Sequence, residues 1–272
     1  MDDAGRLSPG AGDDGGFGEL TVMGSTSEST KASAHGAPIQ KKPICVVVGV
    51  GPGNGAAFAR RFASEGYAVA MIARSRTFID QLADELPDAH AYTCDIGVVA
   101  DVERVFAAIA ADLGPVDVLI YNVGKGLWGS VEEVTPEAFE ESWRVNALGG
   151  FVAARCVLPA MKKSGKGSVL FIGATASRRG GAKTAAFASA KAAQRSLAES
   201  MARDAWPFGV HVALVIIDGV VDEPAARVKL IDKPDGFFVK SDDIAETLVM
   251  LTRQKPSAWS FEVEARPFGE SW

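Results

Sequence analysis

The feature of this sequence that most constrains its fold is the alternation of short apolar runs with longer segments of helical period. The alternation begins near Pro43 and is typical of repeated strand-helix units around a parallel sheet, with helices on both faces. Four longer segments are predicted helices: 56–65, 99–113, 136–161 and 184–206. Seven apolar runs are predicted strands: 44–48, 68–72, 89–93, 116–121, 167–172, 210–217 and 259–263.

The first 42 residues differ in composition from the rest of the 272-residue chain. They are rich in Gly, Ser, Asp and Ala, contain few large apolar residues and show neither a helical nor a strand period. Segments of this composition bury too little apolar surface to fold. We therefore expect a disordered leader over residues 1–42 and a single folded domain over residues 43–272.

Charge and hydropathy limit the class of partner. The net charge is -6, the isoelectric point is near 5.2, and Lys and Arg are scattered. Nucleic-acid-binding proteins carry a basic stripe or patch instead, so we expect a small-molecule partner. The longest apolar stretch, 147–161, is too short for a membrane span, and the amino end does not resemble a secretory signal. These observations predict a cytoplasmic protein with neither a nucleic-acid nor a membrane partner.

The three cysteines, Cys45, Cys94 and Cys156, are far apart in sequence and odd in number. This spacing matches neither a metal site nor a disulfide framework. We expect reduced, buried, structural thiols. His211 is also expected to be structural, at an exposed position, and the sequence suggests no metal site.

A glycine-rich turn lies directly between the first predicted strand and the helical segment that follows it. Its residues are Gly49, Val50, Gly51, Pro52, Gly53, Asn54 and Gly55. A strand, a glycine turn and a helix in this order place free backbone N–H groups and a helix amino terminus beside a pyrophosphate. The motif predicts dinucleotide binding; the alternative is a purely structural turn.

The end of the second predicted strand bears on the choice of cofactor. NAD sites usually carry an acidic residue there that binds the ribose 2′-hydroxyl, but this chain has Ala73 followed by Arg74. A guanidinium suits a 2′-phosphate. The sequence therefore predicts NADP(H) in preference to NAD(H), the alternative being that Arg74 is a solvated residue at a strand end.

With this turn in place, residues 44–268 closely resemble the short-chain dehydrogenase/reductase family. Several of the family's motifs occur in order, although Val48 replaces the Thr that begins its glycine motif. The matching positions are Gly49, Gly53 and Gly55 in the glycine motif, Asp95 and Ile96 beside the adenine, Asn122 and Gly124 in a variant of the NNAG motif, Asn146 in the proton relay, and Lys191 of the YxxxK motif. The resemblance implies a doubly wound Rossmann fold with about seven parallel strands, and a homodimer or homotetramer.

Two catalytic positions depart from the family. Phe187 stands where the family's Tyr precedes the Lys, and Ala174 stands at its catalytic Ser. A Tyr exchanges a proton with the substrate and a Ser orients the substrate oxygen, but phenylalanine and alanine do neither. Candidate replacement donors are Thr175, Ser177, Thr184, Tyr121 and Lys125, the alternative being that these groups cap helices or bond the backbone.

The segment after the sixth predicted strand also departs from the family, which usually has Pro-Gly where this chain has Asp218-Gly219. We interpret Asp218 as a turn-forming residue, with a functional carboxylate as the alternative. Residues 221–238 are expected to form a mobile lid over the substrate. Trp128 is expected to line the pocket and Trp143 to pack in the core.

These observations favour an NADP(H)-dependent oxidoreductase with an atypical active site, acting on a small carbonyl, imine or activated alkene. Lys191 is expected to keep its cofactor role, since in the family it also holds the nicotinamide ribose. An alternative is a catalytically inactive NADP(H)-binding sensor or scaffold. A third possibility is non-redox chemistry, such as that of a lyase or isomerase.

Overall fold

The central element is a parallel seven-stranded sheet with the order β3-β2-β1-β4-β5-β6-β9. A computed structural model describes residues 41–270, so the predicted leader lies outside the described residues apart from Lys41 and Lys42. A separate two-residue ladder pairs β7 with β8. The strands are β1 (Ile44–Val48), β2 (Ala68–Ala73), β3 (Ala89–Thr93), β4 (Val118–Tyr121), β5 (Gly167–Ala174), β6 (Val210–Ile217), β7 (Val220–Val221), β8 (Phe238–Val239) and β9 (Glu262–Ala265).

Helices cover both faces of the sheet. They are α1 (Asn54–Ser64), α2 (Arg76–Glu85), α3 (Val99–Asp112), α4 (Pro136–Trp143), α5 (Gly149–Ser164), α6 (Ala185–Ala205), α7 (Pro224–Lys229) and α8 (Ser241–Arg253). One hydrophobic core packs α3, α5 and α6 against the sheet, and the other packs α1, α2 and α8 against the opposite face. Because both faces are covered, β1 and β6 are buried along their whole length, which confirms the predicted doubly wound fold.

The strand order places a crevice at the centre of the sheet. From β1 the chain adds β2 and β3 on one side, whereas β4, β5 and β6 continue on the other side. In such sheets, ligands bind outside the carboxyl ends of the strands where this reversal occurs. The glycine turn after β1 and the residues that follow β4 both lie at this point.

The predicted helix 136–161 is interrupted. It begins as predicted, with Thr135 as N-cap accepting a hydrogen bond from Ala138 N at 3.2 Å. A five-residue π-helix, Arg144–Leu148, then separates α4 from α5. Such widened turns are frequent at functional sites, and this one contains Asn146.

Some of the sequence-based placements were wrong. Cys45 and Cys94 are buried, but Cys156 lies on the solvent side of α5 and is exposed. Trp143, expected in the core, is 40% exposed. His211 is structural but buried, because its ring bonds Leu251 O and Ser260 O and stacks on Trp259.

Within residues 41–270, no cluster of metal-ligating side chains is present. None of the helices in that range is both long enough and apolar enough to cross a bilayer.

Candidate cofactor and active site

The glycine turn is shaped by close backbone contacts. Gly49 adopts a φ of +88°, where L side chains are strained, and its N–H bonds Ile72 O at 2.9 Å. A Cβ added at Gly55 would lie 2.6 Å from both Gly49 O and Val50 Cα, so only glycine fits there. Within the described chain, no side chain accepts a capping hydrogen bond at the amino end of α1, and such an end suits an anion.

A first cavity of about 500 Å³, the β2 cavity, opens at the carboxyl ends of β1, β2 and β4. Several of the residues that the sequence predicts to bind the cofactor line this cavity. Those lining it are Gly49, Gly51, Arg74, Asp95, Ile96, Asn122 and Gly124.

Hydrogen bonds fix the walls of the β2 cavity. Asp95 Oδ1 accepts a hydrogen bond from Gly97 N at 3.0 Å, and Asn122 Nδ2 donates to Gly49 O at 2.9 Å. Arg76, the other arginine near the end of β2, pairs with Asp80 at 2.8 Å. Of these two arginines, Arg74 lines the cavity.

A second cavity of about 310 Å³, the β5 cavity, lies on the other side of the glycine turn. Gly49, Gly51, Asn122 and Gly124 line both cavities, so the two form one cleft around the turn. The residues expected from the sequence that line the β5 cavity alone are Pro52, Gly53, Asn54, Gly55, Ala174, Phe187 and Lys191. Asn146 and Thr175 line neither cavity.

Lys191 is held by three acceptors. The residue is only 3% exposed, and its Nζ donates to Ile172 O at 2.9 Å, Val123 O at 3.1 Å and Gln194 Oε1 at 3.2 Å. Burial lowers the pKa of Lys191 to about 7. The structure thus places this ammonium at the wall of the β5 cavity, with its three donors satisfied inside the protein.

Asn146 is fully buried in the π-helix. Its Nδ2 donates to Ser142 O at 2.9 Å and to Lys125 O at 3.3 Å, and its main-chain oxygen accepts from Gln194 Nε2 at 2.9 Å. The Asn146 Oδ1 atom is buried without a partner among the described residues. The structure therefore links Asn146 and Lys191 through Gln194, a residue that sequence analysis missed.

The two substituted positions give the β5 cavity an apolar wall. Ala174 ends β5, and Phe187 lies in the first turn of α6. The ring of Phe187 packs against Trp128, with 5.7 Å between ring centroids. Trp128 is 68% exposed and contacts Phe187 without lining either cavity.

The candidate replacement donors are already engaged elsewhere. Tyr121 is buried and its hydroxyl donates to Val145 O at 2.5 Å, while Lys125 pairs with Glu141. Ser177 Oγ accepts from Ala174 N, and Thr184 Oγ1 bonds the main chain of Gly181. None of these four side chains presents a free hydroxyl or ammonium beside Phe187.

Thr175 and Asp218 form a pair that sequence analysis did not foresee. Thr175 Oγ1 donates to the Asp218 carboxylate, which also pairs with Arg266 at 2.5 Å. The Thr175 hydrogen bond and the neighbouring Arg266 and Arg179 hold the pKa of Asp218 below its usual range. Asp218 is thus a buried ion-pair residue that joins the ends of β5, β6 and β9, and the interpretation as a simple turn former was wrong.

The segment 220–240, the cap, lies over the β5 cavity. Its two strands, β7 and β8, pair in parallel, and the Asp222 carboxylate is bound by Arg227 and Lys240. These contacts hold the pKa of Asp222 far below its usual range. The neighbouring Glu223 carboxylate rests on Gly53, where an added Cβ would collide with it. Sequence analysis gave no sign that a carboxylate meets the glycine turn.

Comparison with known proteins is consistent with this geometry. A family model described as short chain dehydrogenase matches residues 43–230. The chain is 30% identical over 207 residues to the 3-oxoacyl-(acyl-carrier-protein) reductase MabA of Mycobacterium avium, covering 76% of this chain and 77% of that protein.

Solved structures agree with the sequence relatives. The crystal structure of a short-chain dehydrogenase from Rhodopseudomonas palustris is 33% identical, with a TM-score of 0.73 and coverage of 84% of this chain and 100% of that one. A metagenomic short-chain oxidoreductase in complex with NADP is 26% identical, with a TM-score of 0.73 and coverage of 83% and 97%. The chain therefore belongs to the short-chain dehydrogenase/reductase family.

Proposed function

We propose that the protein is an NADP(H)-dependent oxidoreductase with an atypical active site, acting on a small carbonyl, imine or activated alkene. The observation that carries the proposal is the glycine turn itself. Gly55 leaves no space for a side chain, the amino end of α1 lacks a side-chain cap, and a cavity lies on each side of the turn. A dinucleotide needs such a turn for its pyrophosphate and one cavity for each of its nucleosides.

NADP(H) is favoured over NAD(H) by the position of Arg74. Arg74 lines the β2 cavity, whereas Arg76 pairs with Asp80. A guanidinium binds a 2′-phosphate bidentately. The NADP complex of the metagenomic relative supports the same assignment.

The side chains of the β5 cavity favour substrates that need little help with protonation. The nicotinamide supplies a hydride when it is bound. Phe187 and Ala174 form an apolar part of the lining, and Lys191 is held in place by three acceptors inside the protein. Hydride addition to an iminium carbon gives a neutral amine without a proton, and hydride addition to an activated alkene gives an enolate that takes its proton from water, so these groups suit the site better than a simple ketone.

One observation favours the alternative of a sensor or scaffold. Each candidate proton donor near Phe187 is engaged in another contact, as the bonds of Thr175, Ser177 and Tyr121 illustrate. A protein that binds NADP(H) and reports its occupancy needs no such donor. The same cleft serves both functions, and turnover separates them.

The experiment is a titration with NADPH and NADH, followed by single-turnover oxidation of bound NADPH by ketones, enones and imines. Arg74→Ala should weaken NADPH binding by about 10- to 150-fold, because a charge-assisted bond to phosphate contributes about 1.5–3 kcal/mol, and should leave NADH binding unchanged. Arg76→Ala is the matched control and should change neither. Binding without hydride transfer would favour the sensor, and binding of neither cofactor would refute both functions.

The proposal includes a cytoplasmic location and a homodimer or homotetramer, as the sequence led us to expect. Light scattering of the purified protein measures its mass in solution and tests the oligomeric state.

A further inference from the structure

Gln194 is a polar residue on the buried face of α6. Its side chain is 0% exposed, so its amide has to find its hydrogen bonds inside the protein. The Nε2 atom donates to Asn146 O at 2.9 Å, and the Oε1 atom accepts from Lys191 Nζ at 3.2 Å. One side chain thus joins the π-helix to the ammonium at the wall of the β5 cavity.

Each of the three acceptors that Lys191 meets among residues 41–270 is uncharged. From β5 it meets Ile172 O, from the turn after β4 it meets Val123 O, and from α6 it meets Gln194 Oε1. Burial is the one influence that shifts its pKa, and no charged side chain of the described residues contributes. Neutral acceptors alone therefore fix the position of this ammonium.

We propose that Gln194 is a positioning residue that fixes Lys191 beside the β5 cavity by joining it to the main chain of Asn146. An amide neither gains nor loses a proton near neutral pH, so the link through Gln194 transfers no proton between Lys191 and Asn146. Lys191 acts as a fixed hydrogen-bond donor. The consequence for the reaction rests on the function proposed above, but the placement of Lys191 does not.

The test replaces Gln194 with residues of similar size. Gln194→Glu puts a carboxylate beside Nζ, and an opposite charge at this distance raises a lysine pKa by about 1–3 units. Gln194→Met fills the same space but removes both hydrogen bonds, so the pKa of Lys191 should fall below its value in the unchanged protein. NADPH binding by the Met variant should weaken by about tenfold.

The measurement is the pH titration of the Lys191 side chain by NMR in protein labelled at lysine, with the signal assigned by its loss in Lys191→Met. Gln81→Glu, at an exposed position of α2, makes the same chemical change far from Lys191 and is the control. It should leave the midpoint near pH 7. Thermal melting of each variant shows whether it is folded.

A residue that merely fills space would give a different result. If Gln194→Met keeps the Lys191 midpoint and the NADPH affinity of the unchanged protein, the proposal is wrong. The same holds if folded Gln194→Glu leaves the midpoint unmoved. Should Gln194→Glu fail to fold, the Met variant decides alone.

The NMR titration is made without cofactor. A failure of the proposed oxidoreductase function would therefore leave this result unchanged, and a failure of the Gln194 proposal would leave NADPH binding by the unchanged protein intact.

Discussion

The two cavities around the glycine turn differ in what their walls offer a ligand. The β2 cavity is lined by main chain and by side chains that still face it, including Arg74 and Asp95. The polar side chains of the β5 cavity are largely committed: Lys191 is bound by three internal acceptors, and Asn54 accepts from Ser241 Oγ. Phe187 and Ala174 add apolar surface where the family carries hydroxyls.

Because of this difference, the residues that would bind the cofactor are distinct from those that would transfer a proton. Dinucleotide recognition depends on backbone geometry and on groups at the ends of β1, β2 and β4, all of which are present. We propose that the family's two catalytic hydroxyls, at the end of β5 and the start of α6, are absent here. On that proposal the cleft keeps its affinity for a cofactor and loses the family's usual chemistry.

The largest expected effect comes from restoring the missing hydroxyls. Ala174→Ser with Phe187→Tyr should increase ketone reduction by about 10²–10⁴-fold, because a positioned proton donor contributes that much to a rate. The measurement is single-turnover oxidation of NADPH by a panel of ketones. Ala174→Ser with Phe187→Leu lacks the phenol and is the control. No gain in a double variant that still binds NADPH would mean that the β5 cavity differs from the family by more than two hydroxyls.

A smaller effect is expected at the turn that the two cavities share. Gly55→Ala introduces a Cβ 2.6 Å from backbone atoms of Gly49 and Val50, which cannot move aside cheaply. We expect a loss of about 1–3 kcal/mol in unfolding free energy and at least about tenfold weaker NADPH binding. Chemical denaturation and fluorescence titration measure these changes.

Gly51→Ala is the matched control for stability, because a Cβ at Gly51 meets nothing within 4 Å. It should unfold at the same denaturant concentration as the unchanged protein. Equal stability of the Gly55 variant would show that the turn tolerates a side chain and is not held by these contacts.

The smallest effect concerns Glu223. Its carboxylate lies against Gly53, so a phosphate bound at the turn would meet a like charge. Removing a repulsion of about 1 kcal/mol makes Glu223→Gln bind NADPH about fivefold more tightly. Isothermal titration calorimetry at low ionic strength measures the difference. Glu132→Gln removes the same charge from a residue that lines neither cavity and should have no effect.

The sequence predicted those parts of the molecule whose signals are local. The apolar run of β1, the glycines after it and the start of the helix at Pro136 are each encoded within a few residues, and the structure has them as predicted. The positions of Asn146 and Lys191 followed from family motifs. These features need no knowledge of distant partners.

The remainder depends on contacts that are distant along the chain. Thr175 and Asp218 are 43 residues apart, and Gln194 lies 48 residues from Asn146. Cys156 and Trp143 are residue types that are often buried, but the side of the helix that each occupies faces solvent. The π-helix adds a further change, because it rotates every later residue of the long helical segment relative to a regular α-helix.

The two sides of the cleft should differ in their sensitivity to salt, because the cap is held by ion pairs. Asp222, Arg227 and Lys240 meet near the surface, where dissolved ions screen their attraction over about 10 Å at 0.1 M. Lys191 is held by uncharged partners away from water, so the same ions leave its surroundings unchanged. Raising the ionic strength should therefore weaken the contacts that hold the cap and leave the hydrogen bonds of Lys191 unchanged. Salt would then open the cleft on the side of the cap alone.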